Sequence, residues 1–95
     1  MKIFVSYTLQ DAIIKLDDLK KIETILKNDD VFIHLFNPDV DSQDKIRTKI
    51  LESNLIILIK SDKTFFSKWV LIELQIAHHS NIPIFMISIE DLRNH

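Results

Sequence analysis

The amino-acid sequence predicts a three-layer α/β/α domain built on a four-stranded parallel sheet. Segments with the apolar, β-rich character of strands alternate with segments whose apolar residues recur every three or four positions, as on one face of a helix. One run, Leu55-Ile-Ile-Leu-Ile59, is apolar at every position, which suits a central strand covered by helices on both faces. Short connections with right-handed crossovers then favour a parallel sheet. The 95 residues make a single domain, 1–95, and the 46% hydrophobic content is ample for one small core.

Taken in order, Lys2-Ile-Phe-Val-Ser-Tyr7 reads as the first strand. Asp11 to Asn28 reads as an amphipathic helix, with Ile14, Leu16, Leu19, Ile22, Ile25 and Leu26 spaced three and four apart at most steps. Asn28-Asp29-Asp30 ends it without the usual glycine. Val31-Phe-Ile-His-Leu-Phe36 is the second strand and Asn37 to Ser42 a loop by its turn residues. Ser42 or Asp41 caps a short helix with Ile46, Ile50 and Leu51 on its inner face. Leu55–Ile59 is the third strand. After the polar loop Lys60-Ser-Asp-Lys-Thr64, Ser67 is an N-cap for a helix from Lys68 to about His79. Pro83 to Ile89 is the fourth strand, and Glu90 to His95 reads as a polar tail. For this β-α-β-α-β-α-β chain the flavodoxin-like strand order 2-1-3-4 is the natural arrangement, with a switch point between strands 1 and 3 where three loops converge.

Composition excludes several function classes. The net charge of −2 is spread along the chain, with no basic stripe for a nucleic acid and no Lys/Arg-rich amphipathic helix for a membrane surface. No apolar run is long enough to span a bilayer, and the polar segment that follows the first strand does not fit a secretory signal, so a cytoplasmic protein is expected. Without cysteine there is neither a disulfide nor thiolate chemistry. The four histidines lack metal-site spacing; adjacent His78 and His79 point about 100° apart on a helix, so no metal is expected. Glycine is absent, which rules out a P-loop and the dinucleotide fingerprint, since both need glycine for the backbone to approach phosphate.

Glu73 is the most informative residue. It is the only charge in Trp69-Val-Leu-Ile-Glu-Leu-Gln-Ile-Ala77, an otherwise nearly apolar helical segment. A carboxylate there loses hydration, which disfavours its charged form. The helix follows the third strand, so Glu73 lies just behind the C-terminal edge of the sheet, where α/β folds bind ligands. The plainer role is that of a solvated or Lys-paired glutamate.

At these residues the chain resembles the Toll/interleukin-1 receptor (TIR) domain family. Ile3-Phe-Val-Ser-Tyr7 followed by Asp11 resembles the family's first signature box. Leu51 to Ser61 is similar to the stretch from the end of its second helix through its third strand. Ser67-Lys-Trp69 followed by Glu73-Leu74 resembles its Ser-x-Trp-x-x-x-Glu-Leu segment, and Ile82 to Ile87 its fourth strand. The pieces run in the family's order over nearly the whole chain. The chain departs from the family in length, in a second loop without glycine, and in having no counterpart of the family's last elements after Ile89. It thus resembles a minimal, stand-alone and bacterial version.

The resemblance implies that Glu73 is the catalytic residue for cleaving NAD, as substrate and not cofactor, at the nicotinamide–ribose bond. The activity implied is that of a glycohydrolase or a cyclase in signalling or defence. A carboxylate suits that chemistry, because breaking an N-glycosidic bond develops oxocarbenium-like charge on the ribose. Tyr7, Asp11, Ser61 and Trp69 are the implied substrate-binding residues, expected to line one cleft with Glu73. Trp69 has core packing as its alternative, and Asp11 the N-cap of the first helix. Phe65 and Phe66 are expected to pack or to form an exposed partner surface. Expected partners are a nucleotide substrate and a homo-oligomer or another TIR-like protein. The competing readings are a non-catalytic TIR-like interaction module and a nucleoside deoxyribosyltransferase-like enzyme, which shares the fold type, the bond cleaved and a key carboxylate.

Overall fold

A computed structural model describes residues 1–95. Its four strands, β1 (Lys2–Ser6), β2 (Asp30–Phe32), β3 (Leu55–Lys60) and β4 (Ile84–Ser88), form one all-parallel sheet in the order β2-β1-β3-β4, as predicted. Helices α1 (Leu16–Ile25) and α4 (Ile89–Arg93) pack on one face, and α2 (Gln43–Leu51) and α3 (Lys68–His79) belong to the other.

The sheet divides the core in two. Ile3, Val5, Ile57 and Ile59 point to the α1/α4 side, where they meet Leu19, Ile22, Ile89 and Leu92. Phe4 and Ile56 point the other way, toward Ile46, Ile50 and Ala77. This is the period-two alternation of a strand buried on both faces. The apolar run of β3 is continuous because Ile56 to Ile59 are all buried. The Phe4 and Phe32 rings stack with centroids 5.2 Å apart and hold the short edge strand β2 against β1.

Several boundaries differ from expectation. The first helix starts at Leu16, not Asp11, because Ala12 has φ 57, outside the helical region, and the Asp11 carboxylate is engaged elsewhere. Strand β2 ends at Phe32, and His34–Phe36 turns into a 3-10 segment where Leu35 N–H finds the Tyr7 hydroxyl instead of a strand partner. Leu51 is 47% exposed and does not belong to the inner face of α2, whereas Ile46 and Ile50 do. Ser42 caps α2 and Ser67 caps α3, each hydroxyl accepting a backbone N–H from three residues on. Without glycine, α3 ends on Asn81 at φ 57, with Ile82 N–H bonded to Ala77 C=O and Asn81 N–H to His78 C=O.

The largest correction concerns the C-terminus. Glu90–His95 is not a polar tail: Ile89–Arg93 forms α4, capped by Ser88, with Leu92 wholly buried. Arg93 fastens it. Its Nε and a terminal nitrogen donate to the two oxygens of Asp18 at 2.9 and 2.8 Å, and that nitrogen also donates to Ile13 C=O at 2.7 Å. Asp18 in turn accepts the N–H of Lys15 and so closes the first turn of α1. The Arg93 hydrogen bonds hold the Asp18 carboxyl below its usual range.

Arg93→Ala should lower the urea midpoint of unfolding at pH 7, because it removes both guanidinium hydrogen bonds from the Asp18 carboxylate. Arg93→Lys, which cannot form the two-pronged bond, should recover part of this. Asp18 is depressed in the folded state, so its contribution is present above the unfolded value and is lost as pH falls through the folded one. The wild-type advantage should therefore shrink in strong acid. An equal loss for Arg93→Ala at acid and neutral pH would show that packing, not the ion pair, is responsible.

Candidate functional site

Helix α3 presents Val70, Glu73, Leu74 and Ala77 to the sheet, the three- and four-residue stripe that a packed helix buries. Val70 and Ala77 are fully buried, so Glu73 sits between two points of close contact. Its carboxylate meets the last residue of β1. Ser6 lies on the same face as Phe4, and its hydroxyl donates to Glu73 Oε1 at 2.9 Å. Glu73 Oε2 makes no hydrogen bond, and no buried side-chain oxygen or nitrogen lacks a partner, so Oε2 remains accessible.

That oxygen belongs to a residue lining a cavity of about 710 Å³ at the C-terminal edge of the sheet. The size is that of small-molecule sites. Tyr7, Thr8, Leu9 and Gln10 supply one wall, immediately after β1. His34, Leu35 and Pro38 form the rim, and the N-terminal ends of α2 (Ser42, Gln43) and α3 (Ser67, Trp69) open onto it. Asp41 lines it too, and no lysine or arginine does. A smaller groove of about 410 Å³ between α2 and α3, lined by groups such as Gln43, Arg47 and Gln75, includes neither Glu73 nor Trp69.

Burial raises the Glu73 carboxyl to about 7, and the Ser6 hydrogen bond opposes the shift without cancelling it. Near neutral pH the group therefore exchanges its proton readily, the property a functional carboxyl needs. Burial also raises the Tyr7 hydroxyl; the Leu35 N–H it accepts at 3.1 Å works against this, and the Glu73 charge adds to it. Tyr7 thereby ties the rim of the cavity to the end of β1. His34 Nε2 bonds Val40 C=O at 2.8 Å and closes the same loop on itself.

The structure brings three of the five expected site residues together: Tyr7, Trp69 and Glu73 line one cavity. Trp69 is 59% exposed, so core packing is not its role. Asp11 and Ser61 are not among the lining residues. Ser61 Oγ donates to Asp11 Oδ2 at 2.8 Å, and the same oxygen accepts the N–H of Lys63 at 2.8 Å. The pair thus clamps the loop after β1 to the loop after β3. The Lys63 and Ser61 bonds hold the Asp11 carboxyl below its usual range. Asp11 is not the cap of α1; Lys15 occupies that position. Phe65 and Phe66 are exposed, Phe66 by 80%.

Sequence reasoning placed the loops Thr8–Asp11 and Asn37–Ser42 at the switch point, and both contribute to the lining, but it missed Ser6 and the rim residues His34 and Leu35. Ser6 carried a usable signal: it ends a buried strand on the face of Phe4, and a buried hydroxyl calls for a partner. The rim gave none, because the 3-10 turn at His34–Phe36 looks like strand in composition. No group of His, Asp or Glu side chains is placed to hold a metal ion, and no helix is long and apolar enough to cross a membrane.

Glu73 costs stability at neutral pH. The folded carboxyl keeps its proton up to about 7, whereas the unfolded one loses it near 4.5, so stability falls as pH rises through that window. Glu73→Gln should therefore raise unfolding stability by roughly 2–3 kcal/mol at pH 8 and by little at pH 4. Thermal unfolding across this range checks it; a destabilised Gln variant at pH 8 would contradict the burial argument.

A family model described as Thoeris protein ThsB, TIR-like domain, matches residues 4–94. No curated protein and no solved structure matches the chain significantly. The match runs from β1 through α4 and so includes every residue of the cavity described above. The chain belongs to the TIR-like domain family of the Thoeris protein ThsB, a defence-system family.

Proposed function

We propose that this chain cleaves NAD at the nicotinamide–ribose bond, as a glycohydrolase or cyclase acting in defence signalling, with Glu73 as the catalytic carboxylate. One observation carries the reading: a carboxylate anchored through one oxygen, with the other free of protein hydrogen bonds, on a residue that lines a ligand-sized cavity walled by Trp69 and Tyr7. When the N-glycosidic bond breaks, its electron pair passes to the pyridinium nitrogen. Nicotinamide therefore leaves neutral and needs no general acid. The ribose carbon is left electron-poor, and ionised Glu73 stabilises it. Hydrolysis follows when water adds to that carbon and gives up its proton; cyclisation follows when a nucleophilic nitrogen of the same molecule adds instead. Trp69 offers an aromatic face to the cationic ring of the substrate.

The reactive form of Glu73 is the ionised one, and its value is about 7. Activity at low substrate should therefore rise with pH to a plateau above that value. Purified protein incubated with NAD, with and without a crowding agent to promote association, should release nicotinamide. Glu73→Gln should slow release by roughly 10² to 10³ with the fold intact. Equal rates for the two proteins would remove Glu73 from the chemistry.

A second reading, a TIR-like module that works by association with its own kind or another TIR-like protein, is favoured by the apolar side chains left in solvent. Phe66, Phe85 and Met86 are 80%, 59% and 52% exposed. Under that reading no nicotinamide appears in any condition, and Glu73→Gln leaves association unchanged.

A further inference from the structure

Ser6 makes the only side-chain to side-chain hydrogen bond between the sheet and α3, and it makes it to Glu73. Its backbone is fixed by pairing opposite Leu58, and the residue is 1% exposed, so no bulk water competes for its hydroxyl. A serine hydroxyl has one proton to give, and an ionised carboxylate can only accept. The direction of the bond is thus set whenever Glu73 is charged. When Glu73 is protonated, the same hydroxyl can accept in turn, so the contact persists through titration.

We propose that Ser6 is a positioning residue for the reaction: its hydroxyl holds Oε1 of Glu73 against the end of β1, so that Oε2 is the oxygen presented to the ribose. This rests on the reading of Glu73 as the NAD-cleaving carboxylate. A glutamate has three rotatable bonds, and the helical backbone of α3 narrows the first while leaving the outer two open. Trp69 and Tyr7 wall the cavity but make no hydrogen bond to the carboxylate. The rigid strand is therefore the one element that specifies which way the carboxylate turns, and a catalytic group held by a packed strand is placed more accurately than one held by a loop.

Ser6 also works against the desolvation of Glu73. No cation shares this task, since neither lysine nor arginine lines the cavity. The other ionisable groups facing the cavity are Tyr7 from the end of β1, His34 from the rim and Asp41 from the start of α2. Asp41 is already paired with Lys45 at 3.1 Å. Removing the Ser6 hydroxyl thus leaves the carboxylate without a protein donor.

The test compares wild type with Ser6→Ala and Ser6→Thr in two independent measurements. One follows the Glu73 side-chain carboxyl carbon by NMR titration; the other follows kcat and KM for NAD against pH. In Ser6→Ala the carboxyl should titrate at higher pH than in wild type. The acidic limb of the rate profile should move the same way, and kcat at neutral pH should fall about tenfold with KM little changed. Ser6→Thr, which keeps the hydroxyl, should restore both. An unmoved titration and an unmoved limb in Ser6→Ala would overturn the proposal, as would the same kinetic loss in Ser6→Thr. If Ser6→Ala does not fold, Ser6→Cys, a weaker donor of similar size, takes its place, and an unshifted titration there overturns the proposal equally. If wild type releases no nicotinamide, the NAD-cleaving reading falls, while the carbon titration still decides whether Ser6 controls the carboxylate.

Discussion

Everything in this fold follows from burying β1 and β3 on both faces. Ile56 and Ile59 are inaccessible to solvent and Leu58 nearly so, which requires helices above and below. Right-handed crossovers then send the chain to opposite faces on either side of β1. The connection through α1 lies on one face, and those through α2 and α3 on the other. The point where direction reverses leaves a crevice at the strand ends, and the cavity lined by Tyr7, Trp69 and Glu73 forms at that edge. The site is a by-product of closing a two-sided core with a short chain.

Within that frame, Glu73 occupies a position that packing alone would fill with leucine or alanine. It lies three residues after Val70 and four before Ala77, both fully buried. The carboxyl responds by holding its proton to about 7, and a single hydroxyl from β1 offsets part of the desolvation. A group tuned this way weakens the fold and is suited to chemistry, the usual trade between stability and function at active sites. The missing cation is informative in the same sense. Asp18 is neutralised by Arg93 and Asp41 by Lys45, and Asp11 takes three neutral donors, whereas the more deeply buried Glu73 is left with a single neutral donor.

The loops around the cavity are stiffened by side chains, since no glycine is present to make tight turns. Asp11 bridges to Ser61 and Lys63, Tyr7 receives Leu35, and His34 meets Val40. Ala12 and Asn81 take the left-handed backbone conformation that glycine usually supplies; asparagine tolerates it well and alanine at a cost of about 1 kcal/mol. A short domain buries a limited share of its surface, and these links hold the rim without enlarging the core.

The sequence by itself determined the class, the strand order and the place of Glu73 as the lone charge on a buried helix face. Each depends on local periodicity: the apolar run of β3, the three- and four-residue spacing of α3, and one charge out of place in it. The boundaries of α3 were legible for the same reason, with Ser67 as a cap at its start. Tertiary structure alone decided the rest, because the deciding contacts join residues far apart in the chain. Arg93 turns an apparent tail into a helix by reaching Asp18, 75 positions away. Asp11 leaves the cap of α1 for Ser61, 50 positions on. Ser6 finds Glu73 across 67. No local pattern encodes such a partner: a polar residue announces that it needs one, and only the packed fold determines which one comes within reach.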